Sequence, residues 1–429
     1  VGGRPVKLDI SREETFCNTR TRHSIEFDLA AGVGKDGRLL AKDMHSYSNQ
    51  GAYASHGHAI AANGLTSWRL QYACPNIRGE AYTIYTNTPV GGAMRGYGIP
   101  QVCFAIESFM DDVANEIHMD PLEFRRKNLI QGYYEDAYLK PIAANTNGIF
   151  ECLEKGAEYI HWDEKRKEYA EQAGDVRKGV GMALFSYKTG VWPISLEIAG
   201  ARLSLNQDGS VQLMLGATEI GQGADTVFSQ MVAETLHTDM EHVHIKTVQD
   251  TDVSPFDTGA YASRQSFVTG TAVRHCAEIL RDKILAYAKT LLPEIDTREL
   301  TLKDNWIWAG DEQAISLAAL AEESYYSLTN SSVLTAEVSE QVKKNTIATG
   351  CCFAEVEVDI KLGKIKILHI INVHDSGKLL NPQLAEMQVH GGMSMGMGYG
   401  ISEQLILDEK TGRPLNGNLL DYKLMTMLD

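Results

Sequence analysis

Two kinds of hydrophobic spacing meet in one stretch of the sequence, LSLNQDGSVQLMLGATEIGQGADTVFSQMVAETL at residues 203–236. Leu203 and Leu205 alternate with polar residues, and the alternation resumes at Val211 after the turn NQDG, which is typical of a β-hairpin. The apolar residues beyond the next loop instead recur at helical spacing: Val227, Met231, Val232 and Leu236. A strand pair that leads directly into a helix predicts an α+β fold.

The same mixture of strands and helices extends over the rest of the chain. Apolar residues alternate as they do in strands at residues 4–10, 24–29, 353–360 and 365–373. They recur at helical spacing at residues 102–117 and 271–292, and a charged helix is predicted at residues 150–173. Asp120 and Pro121 supply an N-cap and a first-turn proline, so we predict a further short helix there.

A loss of periodicity marks the predicted domain boundary. Residues 130–150 show neither period and contain the turn NTNG at residues 145–148. A chain of 429 residues is also longer than a single core of common size. We therefore predict a first domain at residues 1–148 and a second domain at residues 149–429.

The composition is that of an ordinary globular protein with an acidic surface. Apolar residues make up 44% of the chain and charged residues 22%. The net charge of −16 disfavours binding to nucleic acid and to anionic membranes, since both need a basic face. The sequence has no apolar run long enough to span a bilayer. The seven cysteines include no C-x-x-C pair, which argues against zinc or iron–sulfur ligation and favours a reducing compartment, the cytoplasm.

Three loops combine small residues with a few polar groups, and each leads into a predicted helix. Their sequences are GGAMRGYGIPQ at 91–101, GATEIGQG at 216–223 and DTGAYASRQSFVTG at 257–270. Glycine lets the backbone approach a ligand closely, and the free N–H groups of a helix N-terminus favour a phosphate. Each loop alone also fits a structural turn, and GATEIGQG lacks the spacing of known nucleotide motifs. Together they could hold one large, phosphate-bearing cofactor, which their spacing does not identify.

In sequence order, these loops resemble segments of the xanthine dehydrogenase/xanthine oxidase family of molybdenum hydroxylases. The family has AFRGFGGPQ and GGTEMGQG where this chain has GGAMRGYGIPQ and GATEIGQG, and a loop over the molybdenum that resembles DTGAYASRQSFVTG. HDSGKLLNPQLAEMQVHGG at 374–392 resembles another family segment, and SREETFCNTRTRH at 11–23 resembles a substrate-pocket strand. The resemblance covers essentially the whole chain and implies two molybdopterin-binding α+β domains.

The resemblance implies that the chain holds a molybdenum–molybdopterin cofactor, with or without a cytosine nucleotide. Arg95 and Ala262 would lie next to the molybdenum through their main-chain groups. The residues that would contact the pterin or the oxo and sulfido ligands are Gly221, Gln222, Gly223 and Gln388. The residues that would hold the phosphate or its nucleotide extension are Ser263, Arg264 and Gln265.

The resemblance also implies three substrate contacts. Arg22 would pair with a ring carbonyl and stabilise charge on a heterocycle, as a bidentate guanidinium can. Tyr97 lies where the family usually has a phenylalanine that packs on the ring, and Trp192 lies where another pocket aromatic is expected. From the residues alone, Arg22 also fits a surface cation and Tyr97 a core residue.

The implied reaction is the hydroxylation of a heteroaromatic carbon next to nitrogen, with oxygen from water. The expected substrate is a purine, xanthine or hypoxanthine. A glutamate would act as general base, while the cofactor carries the difficult step. Iron–sulfur clusters and FAD on partner chains or domains would then receive the electrons, with NAD as the final acceptor.

The family's catalytic glutamate and its F-G-G-K-E segment have no counterpart within residues 1–429. We therefore expect a chain truncated at both ends, with no catalytic residue of its own, that does not turn over in isolation. Three alternatives stay open. The substrate could be another N-heterocycle such as nicotinate, the chain could be a non-catalytic fragment, or it could be an unrelated phosphate-binding protein.

Overall fold

The computed structural model describes residues 1–135, 141–143, 148–246, 249–296 and 299–428. The chain divides into two compact units. Unit 1 consists of Val1–Tyr187, Ile347–Gly377 and Val389–Asp429, and unit 2 consists of Lys188–Thr346 and Lys378–Gln388. This division by packing is discontinuous in sequence and does not fall at residue 148. Residues 145–147 of the predicted turn lie outside the described residues. The domain boundary predicted at residue 148 therefore stays a prediction.

Helices and strands alternate along both units, which confirms the α+β prediction. The helices are α1 (Arg12–Asn18), α2 (Gly57–Ser67), α3 (Ile99–Glu116), α4 (Pro121–Asn128), α5 (Gly148–Ile160), α6 (Trp162–Glu168), α7 (Ala224–Leu236), α8 (Gln265–Leu291), α9 (Leu317–Tyr326) and α10 (Pro382–Ile401). The strands are β1 (Ile25–Val33), β2 (Leu39–Gly51), β3 (Ile77–Tyr85), β4 (Tyr133–Glu135), β5 (Pro141–Ala143), β6 (Val176–Thr189), β7 (Ile198–Leu205), β8 (Val211–Leu215), β9 (Val243–Ile245), β10 (Leu300–Lys303), β11 (Trp306–Ala309), β12 (Glu312–Ser316), β13 (Thr335–Gln341), β14 (Thr346–Asp359) and β15 (Lys364–Asp375).

Unit 1 packs helices against two three-stranded sheets. One sheet has the order β1-β2-β3, with β1 antiparallel and β3 parallel to β2. The other has the order β15-β14-β6. Helix α3 buries one face at helical spacing through Val102, Ile106, Met110 and Ala114, as its sequence predicts. These side chains pack in one buried cluster with residues of α5 and β14. Parts of unit 1 that are distant in sequence therefore share one hydrophobic core.

Unit 2 contains the hairpin and helices that its sequence predicts. Strands β7 and β8 pair in antiparallel register, with Leu203 opposite Leu213, in a sheet of order β13-β7-β8-β9. Helices α7 and α8 cover this sheet, and their apolar faces join the β7 and β8 side chains in a fully buried core. Helix α8 begins at Gln265, earlier than the predicted residue 271. Its first turn therefore comes from the loop that was expected to contact a cofactor.

Local predictions differ from the structure at several points. The charged helix predicted at residues 150–173 is two helices, α5 and α6, because His161 between them has a left-handed backbone, and the second ends at Glu168. The segment 11–23, expected to be a strand, begins as α1, because Ser11 and Glu14 form a capping box in which each side chain accepts the other's main-chain N–H. Residues 4–10 are assigned no strand. The glycine- and methionine-rich residues 390–400, for which no element was predicted, lie within α10. In the described part of the chain, no helix is both long and apolar enough to cross a membrane.

Candidate functional site

The predicted site residues fall into two groups, one in each unit. Arg22, Arg95 and Tyr97 lie in unit 1. The others lie in unit 2: Trp192, Gly221, Gln222, Gly223, Ala262, Ser263, Arg264, Gln265 and Gln388. We call Arg22, Arg95, Gln101 and Tyr399 of unit 1 the arginine cluster. We call residues 216–223 and 257–265 of unit 2 the loop pair.

Main-chain pairing brings the Arg22 segment to the glycine-rich residues 91–101. Thr21 forms an isolated parallel bridge with Gly91, and the Gly92 N–H donates to the Thr21 carbonyl at 2.9 Å. A Cβ at Gly91 would lie 2.7 Å from the His23 ring, and one at Gly92 would lie 2.5 Å from the Arg20 side chain. The two segments can therefore run side by side only because both positions lack a side chain.

Arg22 is held by neutral groups. Its guanidinium donates to the Arg95 carbonyl at 2.7 Å and to Oε1 of Gln101 at 3.3 Å. It also stacks over the Tyr399 ring, 4.7 Å from the ring centroid, which is a cation–π contact. Its Nε is buried and has no hydrogen-bond partner among the described residues. No described carboxylate forms an ion pair with Arg22, so its positive charge stays available for an anionic or carbonyl oxygen.

A carboxylate near this cluster is already bound. The Tyr422 hydroxyl donates to Oε2 of Glu403 at 2.8 Å. Burial raises the pKa of Tyr422 well above its ordinary value, and the bond to Glu403 raises it further. The phenol therefore stays protonated at neutral pH and keeps donating to Glu403.

Tyr97 and Arg95 are both anchored in unit 1. Tyr97 has a left-handed backbone with φ 50°, and its hydroxyl lies 3.0 Å from Nδ1 of His56. Burial raises the pKa of Tyr97. The Arg95 carbonyl accepts from Arg22, and its guanidinium lies 4.0 Å from the sulfur of Met395. The structure thus joins Arg22 to the segment that carries Arg95 and Tyr97.

The loop at residues 216–223 wraps around the carboxylate of Glu219. One oxygen of Glu219 accepts the N–H of Gly221 at 2.6 Å and that of Gly223 at 3.1 Å, and the other accepts the N–H of Asp225 at 3.1 Å. Burial alone would raise the pKa of Glu219, but these main-chain bonds outweigh it and the pKa is lowered. The expectation that this helix end offers free N–H groups to a phosphate is therefore wrong for these groups.

Gln222 joins this loop to the start of α8. Its Oε1 accepts the Ile220 N–H at 2.7 Å, and its Nε2 donates to the Thr218 carbonyl at 3.1 Å and to Oε1 of Gln265 at 2.7 Å. Gly221 has φ +97°, and a Cβ there would meet nothing within 4 Å. The loop therefore keeps one open side beside two fixed amide side chains.

The loop at residues 257–265 contains strained backbone. Ala262 and Ser263 both have positive φ, 49° and 51°, which residues other than glycine seldom adopt. The Ala262 carbonyl accepts the N–H of Gly190 at 2.9 Å. Directly after this pair, Arg264 opens α8 and fixes the loop through its side chain. Strain of this kind persists only where the surroundings impose it.

The buried side chain of Arg264 forms ion pairs with two carboxylates of unit 2. Its Nε lies 2.6 Å from Glu197 and its NH1 lies 2.7 Å from Asp257, and none of the three side chains is exposed. Asp257 also accepts the hydroxyl of Thr269 at 2.7 Å and the N–H of Gly259 at 2.8 Å. Any contact between Arg264 and a cofactor would therefore use its main chain.

Two further predicted residues are placed separately in unit 2. The Trp192 carbonyl accepts Nδ2 of Asn345 at 2.6 Å. Oδ1 of Asn345 is buried and has no hydrogen-bond partner among the described residues, so it can still accept a bond. Gln388 lies in α10 with its side chain exposed.

The residues that sequence reasoning missed are mostly partners of those it found. Glu219 lies inside the quoted loop, and an acidic residue just before a helix was a usable signal for a cap. Glu197, Asn345 and Tyr399 gave no local signal, because each meets its partner only through the fold.

The loop pair fits a large polar cofactor such as molybdopterin. The open side at Gly221, the strained pair at Ala262 and Ser263 and the amides of Gln222 and Gln265 form a wall of polar groups with little side-chain bulk. Ligands with many ring nitrogens and oxygens suit such a wall. The fold is thus two α+β units, and the loop pair is a candidate site for such a cofactor.

The chain belongs to the family of molybdopterin cofactor-binding domains. Two family models, each described as a molybdopterin cofactor-binding domain, match residues 1–129 and 155–429. The family membership predicted from the ordered segments is thereby confirmed.

Among curated proteins, the chain is 46% identical over 434 residues to the putative xanthine dehydrogenase molybdenum-binding subunit XdhA of Escherichia coli (strain K12). That match covers 100% of this chain and 57% of the relative. The chain is 32% identical to the probable hypoxanthine oxidase XdhD of the same organism, over 98% of this chain and 44% of that protein. The chain thus spans about half the length of these relatives.

Solved structures show the same fold. Quinoline 2-oxidoreductase from Pseudomonas putida 86 matches with a TM-score of 0.88 at 22% identity, over 98% of this chain and 56% of that chain. The Cu,Mo-CO dehydrogenase matches with a TM-score of 0.85 at 23% identity, over 98% of this chain and 55% of the other. At these identities the likeness concerns the fold alone.

Proposed function

We propose that this chain is the molybdenum-cofactor-binding part of a purine hydroxylase that acts on xanthine or hypoxanthine. The observation that carries the proposal is the state of Arg22, a half-buried cation bound only by neutral groups. A guanidinium in that state suits the carbonyl and anionic oxygens of an oxidised purine. The names of the two E. coli relatives support the same substrate class.

In this proposal each group of residues has a separate task. The main chain at residues 221–223 and 262–263 and the amides of Gln222 and Gln265 bind the cofactor. When bound, the molybdenum cofactor supplies the transfer of water-derived oxygen and accepts the substrate's electrons. Arg22 donates hydrogen bonds to the oxygen on which negative charge develops, as a preorganised donor does. Tyr97, from the same unit, packs on the heterocycle.

Several finer assignments stay proposals of the same kind. They are the cytosine form of the cofactor, the role of Gln388, the substrate contact of Trp192 and the roles of Ala262 and Arg95 beside the metal. Electrons would pass to iron–sulfur and FAD centres on partner chains and then to NAD. The relative's description as a molybdenum-binding subunit supports an assembly with other subunits. That the isolated chain does not turn over also stays a prediction.

A second candidate substrate is an N-heterocycle with a carboxylate, such as nicotinate. The same observation favours it, because an unpaired guanidinium also binds a carboxylate with two parallel hydrogen bonds. The two candidates differ in the group that Arg22 meets, so they can be separated by comparing substrates.

The test is the steady-state kinetics of the complete, molybdenum-loaded complex with xanthine, hypoxanthine and nicotinate. We expect Arg22→Met to lower kcat/KM for purines by about 100-fold or more, the effect of losing one preorganised donor. Arg38→Met, which removes an exposed arginine from the β1–β2 turn of the same unit, is the matched control and leaves kcat/KM unchanged.

The outcomes decide between the readings. Turnover of nicotinate without turnover of purines would select the second candidate. Unchanged purine kinetics in Arg22→Met would refute the assigned role of Arg22. A wild-type complex that holds no molybdenum would refute the cofactor assignment.

A further inference from the structure

Glu219 is the one charged residue of the loop Thr218–Gly223, and it is partly buried. Its two carboxylate oxygens take up the N–H groups of Gly221, Gly223 and Asp225 at 2.6, 3.1 and 3.1 Å. Gly223 is the N-cap of α7 and Asp225 is a first-turn residue, so these N–H groups include those at the positive end of the helix. The carboxylate therefore stands where an external anion would bind.

A phosphate at this helix end would face two obstacles. It would have to displace Glu219 from three main-chain donors, two of which bind a single oxygen. It would also meet Asp225, whose Oδ1 is buried without a hydrogen-bond partner in the described part of the chain. Burial first, and the charge of Glu219 second, raise the pKa of Asp225, so we expect a further negative charge to be unfavourable here.

The bonds of Glu219 lie on both sides of Gln222 in the chain. Gln222 stands between Gly221 and Gly223, whose N–H groups meet at the same Glu219 oxygen. With its neighbours fixed in this way, the Gln222 amide reaches Thr218 on its own loop and Gln265 at the start of α8. Gly221 then keeps its open side, since a Cβ there would meet nothing within 4 Å.

We propose that Glu219 is a positioning residue that serves as a built-in anion: it fixes the loop Thr218–Gly223 before any ligand binds, and the cofactor's phosphate binds elsewhere. The part of this inference that concerns the cofactor rests on the function proposed above. The part that concerns the loop does not, because it needs only the protein without cofactor.

The first test is hydrogen exchange of the peptide covering residues 216–226 in the full chain purified without cofactor. We expect the amides of Gly221, Gly223 and Asp225 to exchange roughly tenfold faster or more in Glu219→Gln, because bonds to a charged acceptor are lost. Asp208→Asn is the matched control. Asp208 also accepts a main-chain N–H, that of Ser210 at 2.9 Å, in the β7–β8 turn of the same unit. Its variant should change exchange at that turn and leave residues 216–226 unchanged.

The second test is chemical rescue. In Glu219→Ala, acetate or inorganic phosphate should restore slow exchange of the three amides, since either anion can fill the vacated position. In the wild-type protein neither anion should change their exchange. Equal exchange in wild type and Glu219→Gln, or slowing of wild-type exchange by phosphate, would overturn the inference.

The third test concerns the cofactor. Glu219→Gln should lower the molybdenum content of the purified complex severalfold, whereas the KM for purine of the loaded fraction should not change. Normal molybdenum content in this variant would overturn the cofactor part of the inference. Absence of molybdenum from the wild type would instead refute the proposed function, while the exchange data would still decide the role of Glu219 in the loop.

Discussion

The arginine cluster contains a half-buried arginine and the loop pair a buried one. Carboxylates neutralise the charge of the second arginine, whereas the first has only neutral partners. Arg264 in the loop pair is fully buried between Glu197 and Asp257, at 2.6 and 2.7 Å. Arg22 in the arginine cluster meets a carbonyl, an amide and an aromatic ring, and its Nε is left without a hydrogen-bond partner in the described structure.

The difference shows how the same residue type can serve structure or a ligand. A guanidinium that is neutralised by two buried carboxylates holds the backbone around it, here the left-handed residues Ala262 and Ser263. A guanidinium with only neutral partners keeps its attraction for an incoming oxygen. The activity of Arg22→Met tests this contrast at the arginine cluster, and the stabilities of Arg264→Met, Glu355→Gln and Arg22→Met test it in both units.

The largest effect on stability is expected at Arg264. Arg264→Met leaves the carboxylates of Glu197 and Asp257 buried without their cation, and breaking a buried ion pair in this way costs about 3–5 kcal/mol. The measurement is the free energy of unfolding of the full chain in denaturant. The control is Arg202→Met, which removes a pair with Glu337 at the surface of the same unit and should cost less than about 1 kcal/mol. If the two variants lost equal free energy of unfolding, the buried ion pairs of Arg264 would contribute no more to stability than the surface pair of Arg202.

A smaller and pH-dependent effect is expected at Glu355 of unit 1, a neutralised carboxylate. Burial would raise the pKa of Glu355, but bonds from Lys165, Tyr169 and His369 at 2.7, 2.5 and 2.7 Å lower it to about 2. Because the pKa is lower in the folded protein than in the unfolded chain, this stabilisation is present above about pH 4.5 and is lost as the pH falls towards 2.

The measurement compares wild type with Glu355→Gln at pH 7 and at pH 3. We expect the variant to lose up to about 3 kcal/mol of unfolding free energy at pH 7 and clearly less at pH 3. Glu151→Gln, in the exposed pair of Glu151 with Lys155 on α5, is the control. Lys155 lowers the pKa of Glu151 as well, but solvent screens an exposed pair, so the dependence on pH should be much weaker. A pH-independent loss in Glu355→Gln would mean that packing rather than charge stabilises this site.

The smallest effect is expected for the stability of Arg22→Met. This variant loses two hydrogen bonds but also removes a buried, unpartnered Nε, so the free energy of unfolding should fall by less than about 1 kcal/mol. Thermal and denaturant unfolding of the same preparations used for kinetics give the value. A loss as large as that of Arg264→Met would show that Arg22 is structural, and would explain any loss of activity without a role in binding.

Local sequence predicted the central elements of both units but fewer than half of all helices and strands. Alternation predicted the β7–β8 hairpin, and helical spacing predicted α3, α7 and α8, because buried faces repeat with the period of the element itself. The capping box of Ser11 and Glu14 follows the pattern S-x-x-E, which predicts a helix start where the resemblance implies a strand. The glycine-rich part of α10 could not be predicted in this way, since glycine is a poor helix former.

By itself the sequence determined the family, the α+β class and the loops that carry the candidate cofactor contacts, because these depend on ordered motifs and on short-range periods. Only the tertiary structure decided which charges are neutralised. The partners of Arg22 lie 73 and 79 residues away in sequence, and Glu197 lies 67 residues from Arg264. Glu219 has partners that are close in sequence, but it accepts their N–H groups in a loop where Gly221 and Gly223 both have positive φ. Charge neutralisation depends on distances of a few ångströms, and the fold alone sets those distances.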